Sequence, residues 1–301
     1  MNDNTISETA NLVELNDTVD RTSPSVQATV LETIENGGII FLPQSGFALT
    51  DREKEIMLDV NITLPTRRER TSHNARPTVV FDPALRKIVK GRIRKPEKDE
   101  LEAMMARYSE WAKNLLAELL PSYSKNLVRD RITFRPCVRT TTQGLHVDAS
   151  YGRPSEGRGM IRVFCNINPR GQARKWHIGE HFEPYANRFL GSAKLKKTSG
   201  VEQLLANLGI IKGKRTAYDH LLANIRRQAK RDESYQSDGP RSFFEFPVGS
   251  AWFALTDLVL HGALAGQYSI DQTFFVPVGS MAQPEKSSLR ILERLTRTRL
   301  T

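Results

Sequence analysis

The chain has 301 residues, of which 39% are hydrophobic, enough for one large domain with a buried core. Its two cysteines are too few for a disulfide framework or a cysteine-based zinc site, and no apolar run is long enough to cross a bilayer. The formal net charge of +10 indicates either a polyanionic partner or simply a well-solvated surface.

The first 25 residues are polar and lack the apolar core of a signal peptide, so we expect a disordered lead and a cytoplasmic protein. Residues 29–34 fit a short helix or strand. The run from Gly37 to Pro43 combines a glycine turn with consecutive apolar residues, which predicts a buried strand. Residues 66–77 are basic and polar, as in an exposed loop.

Between residues 100 and 120, apolar side chains repeat at helical spacing, which predicts a long amphipathic helix packed on a core. The pattern then becomes β-like, and the clearest strand, Met160 to Asn168, alternates between two faces. Further strands are expected at residues 132–134, 243–248, 251–255 and 273–278. Gly249-Ser250 predicts a hairpin between two of them. Together these elements predict an α+β fold with a jelly-roll core, the double-stranded β-helix of cupin-like proteins.

Two basic segments accompany the strands. Residues 176–240 are predicted to form a helical, lysine- and arginine-rich insertion. The tail at residues 281–301 interleaves leucine and arginine, which predicts a helix that either packs on its own domain or lies on an anionic surface. We therefore expect one domain over residues 26–301. Its parts are an N-terminal α/β region (26–130), the jelly-roll core (131–175 and 241–280), the insertion and the basic tail.

The tripeptide His146-Val147-Asp148 carries the most specific chemistry in the chain. In an extended segment, residues i and i+2 point to the same side, so the imidazole and the carboxylate reach one point in space. They are two ligands of the facial triad that holds iron(II) in non-heme oxygenases and leaves adjacent positions open. A His-x-Asp sequence also arises by chance in a chain of this length, and His146 then only hydrogen-bonds within a loop.

The third ligand of such a triad is a second histidine from a distant strand. Among six histidines His261 is the best placed, because it follows the strand-like run Trp252–Leu260 and precedes Gly262. A jelly roll makes neighbours of strands that are far apart in sequence. The alternative is a core histidine satisfied by a backbone carbonyl. The combined pattern predicts a metal site made of His146, Asp148 and His261.

Arg162 is the candidate anchor for the cosubstrate of such an oxygenase, 2-oxoglutarate. It lies 14 positions after Asp148, on the same strand face as Phe164 and Asn166. A guanidinium grips a carboxylate through two parallel hydrogen bonds, and an arginine inside a barrel is costly unless it meets an anion. Asn166 and Gln272 are weaker candidates for the same pocket. The alternative is an arginine at the sheet edge, in solvent or paired with a local acid.

His177 and His181 form a competing pair, because residues i and i+4 of a helix share one face and can bind zinc. Gly179 lies between them and disfavours a helix, and the order differs from the His-Glu-x-x-His of metalloproteases. Contact with the substrate, or a place in a lid, is the preferred interpretation for both histidines.

Six stretches of the chain form a longer pattern: Gly144–Ala149, Arg153-Pro154, Ile161–Gly171, Trp176–Phe182, Phe274–Val278 and Glu285–Glu293. This pattern resembles the Kdo hydroxylase family, from about Leu42 onward, whereas the polar lead shows no such likeness. The resemblance implies an iron(II)- and 2-oxoglutarate-dependent dioxygenase that uses O2, with ascorbate as an accessory reductant. It also implies that His146, Asp148 and His261 hold the iron.

The resemblance further implies a substrate and a place of action. Members of the family hydroxylate the 3-position of 3-deoxy-D-manno-oct-2-ulosonic acid (Kdo) attached to lipid A, which converts it to the sugar Ko in lipopolysaccharide. We therefore expect a peripheral protein on the cytoplasmic face of the inner membrane. Arg139, Arg153, Arg158, His177 and His181 are candidates for contacting the substrate. Each of the three arginines is equally well explained as a solvated loop residue.

Two other functions stay open on the sequence alone. The first is a 2-oxoglutarate dioxygenase of another acidic substrate, because loops and insertions rather than the metal site select the substrate. The second is a basic jelly-roll module that binds nucleic acid without catalysis. The sequence contains no helix-turn-helix, zinc finger or aromatic-rich basic motif in favour of the second function. We expect no nucleic acid partner, and the sequence implies no protein partner.

Overall fold

The computed structural model describes a β-sandwich flanked by helices. The described residues are 11–59, 78–91, 93–95, 97–135, 144–149, 153–193 and 215–301. The strands are β1 (Leu12–Glu14), β2 (Ile39–Leu42), β3 (Val79–Asp82), β4 (Lys87–Lys90), β5 (Val128–Arg135), β6 (Gly159–Asn166), β7 (Arg174–Gly179), β8 (Arg241–Phe246), β9 (Ala251–Leu255), β10 (His261–Ala265) and β11 (Ser269–Val276). The helices are α1 (Pro24–Glu35), α2 (Asp51–Leu58), α3 (Glu97–Leu119), α4 (Pro121–Ser124), α5 (Phe182–Leu190), α6 (Ala217–Arg231), α7 (Glu233–Asp238) and α8 (Ser288–Thr296).

Two sheets make up the sandwich. The larger has eight strands in the order β1-β2-β9-β6-β11-β5-β3-β4, and the smaller has the order β10-β7-β8. Pairing is antiparallel except between β1 and β2. Neighbours in the sheets are often far apart in sequence, as for β6 beside β11. The predicted jelly-roll core with flanking helices is confirmed, and distant segments can therefore meet between the sheets.

The space between the two sheets holds its own apolar core. Phe164 and Trp252 from the larger sheet stack with centroids 5.4 Å apart. Trp176 and Phe246 from the smaller sheet meet them edge-on or stacked. Aromatic pairs of this kind add roughly 0.5–1.5 kcal/mol each beyond their buried area. We call this side of the larger sheet the inner face, and it is the side on which the candidate site lies.

Helices cover the opposite, outer face of the larger sheet. The predicted long helix is α3, and its buried stripe recurs every three or four residues, as helical periodicity requires. The stripe consists of Leu101, Met104, Met105, Tyr108, Ser109, Ala112, Leu115, Leu116 and Leu119. The hydroxyl of Tyr108 donates to the carbonyl of Val163 on β6 at 2.8 Å, so the helix is pinned to the central strands.

The C-terminal helix α8 packs on the body of the protein. Leu289, Ile291 and Leu292 are buried in the outer core, while Arg290 and Arg294 lie on the other side of the helix. Of the two interpretations that the sequence leaves open for this helix, the structure supports packing on its own domain. Within the described part of the chain, no helix combines the length and the hydropathy needed to cross a membrane.

The structure differs from the predicted hairpin at Gly249-Ser250. Strand β8 pairs with β7 in the smaller sheet, whereas β9 pairs with β2 and β6 in the larger one. The turn, with Gly249 at φ 80°, therefore carries the chain from one sheet to the other. Turn residues permit a reversal of direction but do not decide which sheet the second strand enters.

Two predicted boundaries also differ from the structure. Residues 174–179 form strand β7 and not the start of a helical insertion, although α5, α6 and α7 do follow. Residues 12–14 form β1, parallel to β2, so the lead is ordered from there onward. The predicted loop at residues 66–77 and residues 194–214 of the predicted insertion lie outside the described residues.

Candidate metal centre

The two parts of the predicted metal motif meet where residues 144–149 run beside the start of β10. The amide of His146 donates to the carbonyl of His261 (3.1 Å), and the amide of His261 donates back (2.9 Å), forming an antiparallel bridge. The amide of Asp148 donates to the carbonyl of Thr256 at 2.7 Å. The sequence places His261 at the end of a strand, but β9 ends earlier and His261 begins β10.

Three side chains converge at this point, as the sequence predicts. The ligand atoms of His146, Asp148 and His261 lie within 4.8 Å of one another. Nε2 of His146 is 3.9 Å from Oδ1 of Asp148, and Nε2 of His261 is 3.8 Å from Oδ2. Metal–ligand bonds of about 2 Å allow one ion to contact all three. In the described residues no other cluster of histidine, cysteine and acidic side chains has metal-binding geometry.

The imidazole rings are oriented through their other nitrogen. Nδ1 of His146 is 2.8 Å from the carbonyl of Gly144, and Nδ1 of His261 is 2.9 Å from the carbonyl of Val259. A carbonyl only accepts hydrogen bonds, so Nδ1 carries the proton and Nε2 presents its lone pair to the site. Trp176 stacks on His261 with centroids 5.0 Å apart. Both rings are therefore held in the tautomer that a divalent cation requires.

Burial and neighbouring charges together set the charge state of the three side chains. It lowers the pKa of His146 well below 6.5, helped by the nearby His261, and it lowers the pKa of His261 as well. Burial alone would raise the pKa of Asp148, but the Arg162 guanidinium and the two imidazoles hold it well below 3.8. The set is thus two neutral imidazoles and one carboxylate, the ligands of a facial triad for iron(II).

Arg162 connects the metal motif to a second buried acid. Its Nη1 donates to Oδ2 of Asp148 at 2.6 Å, and its Nη2 donates to Asp271 on β11. Asp271 is 1% exposed and also accepts from Arg135 on β5, so two guanidiniums share one carboxylate. Nε of Arg162 is buried and has no hydrogen-bond partner within the described residues. An anionic ligand fits this donor set, because the cluster retains an unused donor.

Asn166 and Gln272, the two weaker candidates for binding the cosubstrate, use their side-chain amides in hydrogen bonds away from the Arg162 cluster. Asn166 lies on the inner face, but its amide donates to the carbonyls of Gln172 and Phe246, so it connects the loop before β7 to the end of β8. Gln272 is paired with Val163 in the sheet and points to the outer face. There its amide donates to Ser109 of α3 at 3.0 Å. Alternation along β11 puts Asp271, and not Gln272, beside Arg162.

The arginines predicted to contact the substrate lie at another edge of the sheet. Arg153 forms an ion pair with Asp130 on β5. Nε of Arg158 donates to the carbonyl of Ser155 at 2.7 Å, and its guanidinium lies over the ring of Phe275. These contacts occupy both side chains in holding the loop before β6. Arg139 lies outside the described residues.

The two remaining histidine candidates do not form a zinc site. His177 lies in β7 between Trp176 and Ile178, whose side chains enter the inner core, so it points to the other side of the smaller sheet. His181 precedes α5 as its N-cap. A strand and a helix start do not offer the shared helical face that a zinc pair at i and i+4 needs.

Asp271 and Arg135 are the parts of the site that the sequence analysis does not identify. Asp271 is the acid in a strand of otherwise uncharged residues, Ser269–Val276. It is paired with Phe164 on β6 and with Thr133 on β5. An acid in a buried strand needs a cationic partner on the same face. This requirement is the sequence feature from which a buried arginine beside Asp271 could have been predicted.

Comparison with known proteins gives a consistent picture. A sequence model of the family described as 3-deoxy-D-manno-oct-2-ulosonic acid (Kdo) hydroxylase matches residues 17–299. Among the curated proteins, a search finds no match to this chain.

Solved structures of the Kdo hydroxylase KdoO, described as a non-heme Fe(II) alphaketoglutarate-dependent dioxygenase, are similar over nearly the whole chain. The complex with alphaketoglutarate and Fe(III) is 30% identical, with 97% of each chain covered and a TM-score of 0.85. The apo structure has the same identity and TM-score, with 96% of this chain and 97% of that chain covered. The complex with succinate and Fe(III) has 30% identity, 96% and 97% coverage, and a TM-score of 0.83.

Proposed function

Because this chain belongs to the Kdo hydroxylase family, we propose that it hydroxylates the 3-position of Kdo attached to lipid A, giving Ko in lipopolysaccharide. The chain is an iron(II)- and 2-oxoglutarate-dependent dioxygenase of the cupin or jelly-roll type. The observation that carries the proposal is the convergence of two neutral imidazoles and a carboxylate between the sheets of this fold. The family match and the continuous core support a single catalytic domain over residues 26–301.

His146, Asp148 and His261 are the proposed iron ligands. The chemistry supplied by iron(II) and 2-oxoglutarate is activation of O2. The cosubstrate becomes succinate and carbon dioxide, while one oxygen atom enters a C–H bond of the sugar. The chain's task is to hold the reacting groups in place and to keep water away. The aromatic layer around Trp176 and Phe164 provides a dry wall on one side of the ligands.

Arg162 is the proposed anchor for the far carboxylate of 2-oxoglutarate, and charge supports the assignment. Two arginines, Arg162 and Arg135, face two acids, Asp148 and Asp271, so the formal charges of the cluster cancel. Asp148, which accepts from Arg162, would share its carboxylate with a bound divalent cation. The cluster would then carry excess positive charge, which a dicarboxylate cosubstrate would neutralise.

Peripheral attachment to the cytoplasmic face of the inner membrane is the proposed location, because the substrate is an anionic lipid and the chain carries a net charge of +10. Each basic residue near an anionic surface contributes on the order of 1 kcal/mol. Sedimentation with vesicles tests this part. Binding to vesicles that contain anionic lipid, weakened by salt, is expected, and equal binding to zwitterionic vesicles would contradict it.

The direct test of the function is hydroxylation of purified Kdo-lipid A in the presence of iron(II), 2-oxoglutarate, ascorbate and O2. Mass spectrometry should show a gain of one oxygen atom on the sugar and stoichiometric succinate. His261→Ala should abolish both products and metal binding. His220→Ala removes another buried imidazole, located on α6, and should retain metal binding.

The same assay distinguishes the proposed function from the main alternative, a 2-oxoglutarate dioxygenase of another acidic substrate. If the wild-type protein consumed 2-oxoglutarate only with a different acidic acceptor, the dioxygenase assignment would stand and the Kdo-lipid A substrate would be wrong. If His261→Ala bound metal as tightly as wild type, the proposed ligand set would be wrong.

A further inference from the structure

A groove passes beside the segment that carries the metal ligands. At one end, Ala149 lines a cleft of about 360 Å³ together with the last two turns of α6. At the other end, Gly144 lines a second cleft of about 440 Å³ together with His177 and Phe243. Lys230 lines both clefts, so they meet at this side chain. His146 and Asp148 lie between Gly144 and Ala149 in the chain, and the groove therefore follows the backbone segment that carries these two candidate ligands.

Helix α6 lines this groove with positive charge. Arg226, Arg227, Lys230 and Arg231 follow one another at the spacing that places side chains on one face of a helix. Ala223, one turn earlier in the helix, also lines the cleft, and its small side chain leaves space beside the cations. We call these four cations the α6 stripe. Its opposite face buries Leu221, Leu222 and Ile225 in the core, so the stripe cannot rotate away from the groove.

The stripe is fixed to the metal segment. Nη1 of Arg226 donates to the carbonyl of Ala149, the residue after the ligand Asp148, at 2.9 Å. This hydrogen bond holds the start of the stripe against the residue that follows the candidate ligand Asp148.

Two charges of the stripe have no acidic partner among the residues that the structure describes. Neither Arg227 nor Arg231, both exposed, contacts a carboxylate within the described part of the chain. Nε of Arg226 is buried and has no hydrogen-bond partner among those residues. Cations elsewhere on the surface pair with acids, such as Arg290 with Glu293. Like charges at this spacing repel one another, so without a bound anion their proximity does not stabilise the helix.

We propose that the α6 stripe is a subsite for an anionic group of the substrate, a carboxylate or a phosphate, at a distance from the carbon that is hydroxylated. The inference rests on the proposed function, because it assigns to this chain's own residues the recognition of an acidic sugar or of the phosphates attached to it. Arginines bind either anion through paired hydrogen bonds, and lysine adds a point charge. The stripe replaces Arg153 and Arg158 as the candidate for binding anionic groups of the substrate, because those two arginines lie at another part of the sheet.

The test uses the triple variant Arg227→Gln, Lys230→Gln and Arg231→Gln in the iron-loaded enzyme. We expect the KM for Kdo-lipid A to rise at least about tenfold, because each lost charge-assisted contact weakens binding by roughly that factor. The kcat and the dissociation constants of iron(II) and 2-oxoglutarate should not change. A structural role alone would alter these constants together.

A matched control removes the same net charge from a distant surface. The triple variant Lys87→Gln, Lys113→Gln and Lys125→Gln exchanges three exposed lysines that line neither cleft. This control should keep the KM of the wild-type enzyme. If both triple variants raised KM equally, the effect would come from net charge and the subsite would be wrong.

A comparison of two ligands shows whether the stripe binds the sugar carboxylate or a phosphate. Calorimetric titration compares Kdo-lipid A with the same acceptor after removal of its phosphates. If the stripe variant loses affinity for both, the stripe binds the sugar carboxylate; if it loses affinity only for the phosphorylated ligand, the stripe binds phosphate. If the stripe variant binds both ligands as wild type does, the subsite is wrong. If the wild type binds neither ligand, the proposed substrate is wrong as well.

Discussion

At the scale of single residues, the histidine ligands are prepared for metal by burial and by backbone carbonyls. Because the pKa values of His146 and His261 are lowered, protons compete with metal only at a pH below the ordinary histidine value of 6.5. We therefore expect the Co(II) dissociation constant to stay nearly constant as pH falls through 6.5 and to rise only in more acid solution. Calorimetric titration over a pH series measures this.

Ordinary histidines would give a different curve. The affinity would then fall by up to about tenfold per pH unit for each histidine, starting near pH 6.5. Such a curve for the wild-type protein would contradict the assignment of both rings to the neutral, Nε2-presenting form.

Arg162→Lys tests the cosubstrate anchor. A lysine keeps the positive charge but loses the planar fork that donates to Asp148 and Asp271 together. We expect the KM for 2-oxoglutarate to rise by roughly ten- to a hundredfold, corresponding to one or two charge-assisted hydrogen bonds, with metal affinity retained. Unchanged 2-oxoglutarate affinity would show that another cation holds the far carboxylate. Visible absorption of the anaerobic iron(II)–2-oxoglutarate complex gives the affinity without turnover.

Asp271 has a structural role that a substitution can measure. It is the shared partner of Arg162 and Arg135, and its removal leaves buried positive charge without compensation. Asp271→Asn is expected to lower the free energy of unfolding by about 3–5 kcal/mol, by urea denaturation. Asp51→Asn, which disrupts an exposed pair with Lys54, should change the free energy of unfolding little. Equal effects of the two substitutions would contradict the role of burial.

The residue pattern was sufficient to predict that the three candidate metal ligands converge, but not what surrounds them. His146 and Asp148 are adjacent in sequence and share a side by strand geometry alone. The pairing of Arg162 with Asp271 depends on which strands become neighbours, and β6 and β11 are about a hundred residues apart in sequence. Periodicity gives the face of a side chain, but it does not give the register between distant strands.

At the scale of elements, the packing of α8 distinguishes a structural helix from a membrane-binding one. Leu292 is fully buried in the outer core. Leu292→Ala should therefore lower the free energy of unfolding by about 2–5 kcal/mol, because it leaves a cavity. Arg290→Ala on the exposed side of α8 is the matched control and should change stability little. Reduced vesicle binding by Leu292→Ala without loss of stability would instead support a helix that inserts into lipid.

Local sequence patterns predicted most elements but not how the chain moves between the sheets. The helical period of α3 and the alternation of β6 are properties of single segments, and both predictions are confirmed. The turn at Gly249 and strand β7 depend on the partner sheet, which no local pattern records. The apolar residues of β7, Trp176 and Ile178, also suit a helix when the segment is as short as this one.

At the scale of the whole molecule, the fold brings together three groups of residues from distant parts of the chain. The inner face of the large sheet supplies Arg162 and Asp271, the segment at 144–149 and β10 supply the proposed metal ligands, and α6 supplies the cationic stripe. The net charge of +10 left open an anionic partner or a well-solvated surface, and it gave no location for a partner. The proposed location depends on α6 lying beside the segment at 144–149, and that helix begins about 70 residues later in the chain.

Isotope labelling of the reaction with Kdo-lipid A tests the central claim most directly. When the purified, iron-loaded protein turns over under ¹⁸O₂ with 2-oxoglutarate, one labelled atom should appear in the new sugar hydroxyl and one in succinate. The Asp148→Ala variant should give neither product. Unlabelled hydroxylated sugar, or labelled products from the variant, would contradict a dioxygenase reaction at these three ligands.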